Sequence, residues 1–168
     1  MFSTKDFGKI QWHDNAIHGF RILEGDIGGE IIFDIDFIAE WLPQADERYS
    51  FKISPSDLKF HDVSDLVVSI NYAEARAAVQ PMSIHEIHRT PITYPNGYKS
   101  FNWKININWP PNSFFSFNSP SFTQQQRMEP VISETQYLSP AERRSWPLTT
   151  GSNRSLRSLG RAKARPLT

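Results

Sequence analysis

Phe101-Asn102-Trp103-Lys104-Ile105-Asn106-Ile107-Asn108-Trp109 places a large apolar side chain at every odd position and a polar one at every even position. Successive side chains of an extended chain point to opposite faces, so this alternation predicts a strand with one dry and one wet face. The same rule carries outward. Between residues 31 and 41, Ile31, Phe33, Ile35, Phe37 and Trp41 fall on one side, with Asp34, Asp36 and Glu40 mostly on the other. Leu66, Val68, Ile70 and Tyr72 repeat the pattern against Asp65, Val67, Ser69 and Asn71.

Turn residues punctuate these runs as an antiparallel meander requires. Gly25-Asp26-Ile27-Gly28-Gly29 and Tyr94-Pro95-Asn96-Gly97 read as hairpin turns, the Asn-Gly pair being the strongest such signal in the chain. Ser54-Pro55-Ser56-Asp57 and Pro110-Pro111-Asn112-Ser113 read as further strand breaks, because proline has no N–H for the ladder. Only Tyr72 to Val79, and a start at Ser139-Pro140-Ala141-Glu142, suit a helix. The spacing leaves no room for crossover helices. It therefore predicts a mainly β fold, an antiparallel meander forming a two-layer sandwich or a partly closed barrel, with one or two short helical turns.

With 168 residues, 12 Phe and 5 Trp, the chain has the length of one domain and enough large rings for its core. The absence of cysteine excludes disulfides, thiolate metal sites and a thiol nucleophile. No apolar run approaches the roughly 20 residues of a membrane helix, and the first ten residues lack a secretory apolar run, so a soluble cytoplasmic protein without membrane contact is expected. The net charge of +0 hides an asymmetry: residues 1 to 62 hold 12 acidic side chains against 6 Lys or Arg, whereas 145 to 168 hold Arg154, Arg157, Arg161, Lys163 and Arg165 and no acid. The expected organisation is a single β domain over 1–144 and a disordered basic Ser/Arg-rich tail over 145–168. Nucleic-acid contact, if any, is expected only through that tail: the aromatic stretch from Phe101 to Phe117 has few interleaved basic residues.

Trp12-His13-Asp14, Phe33-Asp34-Ile35-Asp36-Phe37-Ile38, Ser121-Phe122-Thr123-Gln124 and Leu138-Ser139-Pro140-Ala141-Glu142-Arg143 together resemble a pattern found in a group of small bacterial proteins. The resemblance spans roughly residues 10 to 143 and departs where Ser121 stands in place of a glycine. It implies a compact bacterial domain, and no activity.

Five histidines (His13, His18, His61, His85 and His88) and four nearby carboxylates carry what catalytic signal there is. Imidazole and carboxylate are common metal ligands, which makes His13, His18, Asp34 and Asp36 an alternative metal set, although none of the familiar paired-histidine spacings occurs. No cofactor is expected. His13, Asp14 and His61 are the candidate catalytic residues of a metal-dependent or carboxylate-based hydrolase. Asp34 and Asp36, read as a solvated face, suit instead a non-enzymatic interaction module, in the manner of an immunity protein, whose acidic face of Asp34, Asp36 and Glu40 docks a partner protein. A small-ligand-binding β-barrel is the remaining alternative.

Overall fold

Alternation between rings and short polar residues builds strands along most of the chain, and a computed structural model describes residues 1–143 apart from 26, 27, 46 and 74. Among the described residues the strands are β1 (Phe2–Ser3), β2 (Ala16–Leu23), β3 (Gly29–Pro43), β4 (Tyr49–Ser69), β5 (Met82–Thr93), β6 (Lys99–Trp109), β7 (Ser113–Ser119), β8 (Ser121–Gln126) and β9 (Val131–Ser133). All pair antiparallel in one sheet of order β1-β8-β4-β3-β2-β5-β6-β7, and β4 pairs again with β7. That last pairing closes β4-β3-β2-β5-β6-β7 into a ring, so the fold is a mainly β, partly closed antiparallel barrel. The seam between β2 and β5 is short, Ala16 facing Ser83 and Ile17 facing Met82. The tail expected over 145–168 lies outside the described residues.

The long strand β4 makes the closure possible. Its residues 56 to 61 pair with β8, then it bulges through Asp62 and Asp65, both at left-handed φ (49° and 52°), and from Ser64 onward its partner is β7. A bulge re-aims a strand in this way by inserting unpaired residues on one side. Gly28 lies under the bulge: a Cβ there would sit 2.9 Å from the Asp62 Cα, closer than real Cβ atoms approach.

Inside the ring the odd-position side chains interdigitate. Phe60 at the centre has Trp103 at 5.0 Å, Phe117 at 4.7 Å and Phe33 at 6.1 Å between ring centroids, all edge to face. That arrangement places the positive rim of one ring on the negative face of the next. A 3-10 helix, Thr4–Lys9, and the residues after it close one end of the barrel: Phe7 meets Trp103, Trp12 meets Phe122 and Phe2 meets Phe37. Ser3 N–H donates to the Asp6 carboxylate at its start (3.0 Å), a bond that holds the Asp6 carboxyl below its ordinary range.

Three expectations about local structure change. Ser54 to Asp57 is no turn but the interior of β4, where Pro55 faces Asp36, the Ser54 hydroxyl donates to Met128 O (2.6 Å) and the Ser56 hydroxyl to Ser54 O (2.9 Å). The strand tolerates Pro55 because nothing there asks it for an N–H, and its carbonyl accepts the Arg127 N–H (2.8 Å). Tyr72 to Val79 forms turns rather than a helix. Ala73 and Ala78 take left-handed φ (49° and 56°), which no continuous right-handed helix admits, and the segment has no apolar face to bury. Ser139 does start a single turn, its N–H and hydroxyl donating to Glu142 and its carbonyl accepting from Arg143 N–H, but no helix follows.

Candidate functional site

The residues from Arg127 to Arg143 run as a strap across the outer face of β3 and β4. β9 pairs with Phe51 to Ile53, and Leu138, fully buried, joins Ile38, Phe51 and Ile53 in a second small core. The strap is what the alternation of β3 does not show. Ile32, Asp34, Asp36 and Ile38 are buried together with Ile31 to Phe37 on the opposite face.

Asp34 and Asp36, expected on a solvated face that binds a partner, are therefore covered. Arg143 donates one guanidinium nitrogen to Asp36 and the other to Asp34. Arg127 spans Asp34 (2.5 Å) and Asp57 (2.9 Å), Leu138 N–H donates to Asp36 (2.7 Å), and His18 Nε2 lies 2.9 Å from the same carboxylate. Charges removed from water this completely persist only when paired and hydrogen-bonded, and forked Arg–carboxylate geometry meets that demand. The pair thus serves as an internal clasp for the strap. Of the three acidic residues assigned to partner binding, Glu40 alone is at the surface, 3.9 Å from Lys52.

The histidines disperse. His13 Nδ1 is 3.1 Å from Asp14, which turns at φ 62°, and its ring lies 5.6 Å from that of His85. His88 approaches Glu86 (2.7 Å), which also accepts from Asn106; these two bonds hold the Glu86 carboxyl below its ordinary range. Among the described residues no three His, Asp or Glu side chains converge as a metal site, so His13, His18, Asp34 and Asp36 form no ligand set. Asp14 is engaged by Asn108 and Gln136. Trp12, read as a possible pocket wall, is buried and donates its indole N–H to Gln124 (2.8 Å).

His61 has an arrangement that sequence spacing could not reveal. On the outer face of β3, β4 and β8, its Nδ1 is 3.0 Å from Glu30 Oε1 and its Nε2 is 3.0 Å from Thr123 Oγ1. Lys59 holds the other oxygen of Glu30 at 3.0 Å. Partial burial raises the Glu30 carboxyl, but the bonds from Lys59 and His61 outweigh it and keep the group below its ordinary value. Residues 30, 61 and 123 meet only because β8 returns beside β4.

Surface clefts, rather than a cavity on the barrel axis, are the concave features described. One of about 400 Å³ lies between Phe7 to His13 and His85 to Ile87. Another, of about 310 Å³, separates Phe2 and Lys9 to Gln11 from Phe37 to Ala39 and Trp41. The second borders an unfinished strand edge. β2 stops pairing with β3 at Ala16 opposite Asp36, Asn15 Oδ1 takes the Ile38 N–H (3.2 Å), and residues 39 to 43 have no backbone partner on that side among those described. Here β3 and β4 project as a two-stranded arm carrying Trp41 against Phe51 (5.0 Å) and Tyr49 (5.8 Å), both Trp41 and Tyr49 well exposed.

The site is thus the free edge of a barrel strand with an aromatic arm, on a molecule whose interior is filled. No family model, curated protein or solved structure matches the chain. No described helix is long and apolar enough to cross a membrane.

Proposed function

We propose that the protein is an interaction module that captures an extended segment of a partner protein along the free edge of β3, beside Trp41. The observation that carries this reading is the coincidence of three features in residues 37 to 43: an unpaired backbone edge, an adjoining cleft of about 310 Å³ and an exposed Trp41 stacked on Phe51. Strand addition draws affinity from main-chain hydrogen bonds and selectivity from pockets for alternate side chains, and tryptophan and tyrosine dominate binding hot spots. An edge left open in an isolated protein invites aggregation, and the charged Glu40 and Lys52 beside this one are the usual protection. The immunity-like reading is retained in this form, with the contact surface moved from the clasped Asp34 and Asp36 to the arm that carries Glu40.

The packed interior weighs against a small-ligand barrel. The neutralised Asp34 and Asp36 weigh against a carboxylate pair acting as general acid and base. Affinity capture from bacterial lysate at low salt tests the proposal: the wild type is expected to retain a discrete protein species that Trp41→Ala loses. An identical set of retained species for both proteins overturns it.

A further inference from the structure

We propose that Glu30, His61 and Thr123 form a nucleophilic relay in which the Thr123 hydroxyl accepts an acyl group from an activated ester. The geometry is that of an acid, base and hydroxyl nucleophile in series, with 3.0 Å at each link. A neutral imidazole with its proton on Nδ1 donates to Glu30 and leaves Nε2 to accept from Thr123. Lys59 and the strand pairing fix Glu30 from behind, and Ser119 Oγ donating to His61 O (2.5 Å) fixes the backbone that carries the ring. The three side chains come from three adjacent strands, so rigid ladders rather than loops hold their spacing.

Glu30 and His61 are both partly exposed, 28% for each side chain, which leaves the relay accessible from solvent. The substrate class is accordingly a small acyl ester with a good leaving group, for which activation of the nucleophile is the main requirement. Thr123 Oγ1 forms a bond to the acyl carbonyl carbon as its proton passes to His61 Nε2. The ester C–O bond breaks, and the departing oxygen takes that proton. Water then gives a proton to the same Nε2, adds to the acyl-threonine carbonyl and releases the carboxylic acid, while the Thr123 oxygen recovers its proton from His61.

p-Nitrophenyl acetate is the probe. The wild type is expected to release p-nitrophenol with transient acetylation mapped by peptide mass spectrometry to Thr123. Thr123→Val, which keeps the β-branched shape suited to a strand, is expected to abolish that adduct and slow release about tenfold, and Thr123→Ser to restore both. Glu30 is a positioning residue. Glu30→Gln is expected to slow acylation and to remove the downfield proton NMR signal of the His61 Nδ1–H, with the strand fold unchanged by circular dichroism. Release at the wild-type rate from Thr123→Val, or acetylation confined to lysines, overturns the proposal, since His61 or surface amines would then react alone.

Discussion

Asp36→Asn tests the clasp most directly. The Asp36 side chain is fully buried and the Arg143 side chain facing it is 8% exposed. An amide of the same shape keeps an acceptor for the Leu138 N–H and removes the charge that compensates the guanidinium. Breaking a buried pair by neutralising one partner costs about 3–5 kcal/mol, because the other charge stays out of water unpaired. The retained acceptor sets the expectation at the low end, about 3 kcal/mol in urea unfolding, or roughly a 10 °C fall in melting temperature for a domain of this size. Glu40→Gln on the same strand, where the side chain is exposed, is expected to change stability by less than about 0.5 kcal/mol. Replacing both partners together, Asp36→Leu with Arg143→Met, is expected to recover most of the loss, since no orphaned charge remains. A loss below about 1 kcal/mol for Asp36→Asn would refute the reasoning and return Asp36 to the solvated role that the alternation alone assigns it.

Leu138→Ala deletes a fully buried side chain of the small second core and is expected to cost about 2–4 kcal/mol. Hydrogen exchange should then rise first in residues 127 to 143. Trp41→Ala is expected to leave the melting temperature within a few degrees of wild type while removing partner capture, a split between stability and binding that a purely structural Trp41 would not give. Glu30 has its folded carboxyl below the ordinary value of 4.5, so its contribution to stability is complete above that pH and is lost as pH falls through the folded value. The acid limb of a stability profile should therefore flatten in Glu30→Gln, and an unchanged limb would show that the bonds from Lys59 and His61 carry no net stabilisation.

What the sequence discloses of this fold is local. Trp103, Ile105 and Ile107 are buried as their period requires, and Gly97 takes the positive φ of 82° that the Asn-Gly turn demands. Period two reports which side of a strand is apolar, and it reads Ile31 to Phe37 correctly. It cannot report that a second layer covers the other side. The clasp joins Asp36 to Arg143 across 107 positions, and no window of neighbouring residues contains both. Ile32 and Ile38, interspersed among the acids of β3, are the one local sign that this face is also dry. Similarly, Pro55 looks like a break because proline lacks an N–H, yet the strand continues there through its carbonyl and through Arg127. The relay of Glu30, His61 and Thr123 depends on the order β8-β4-β3, which alternation leaves undetermined.

The strap sets an order of events during synthesis. At about 5–20 residues per second, a ribosome that has just added Asp36 needs roughly 5–20 s to reach Arg143, 107 positions later. Through that interval the nascent barrel presents uncompensated carboxylates and an uncovered apolar strip. Any cellular factor that protects the growing chain would meet it at this face, and the last cation to be translated would dismiss it.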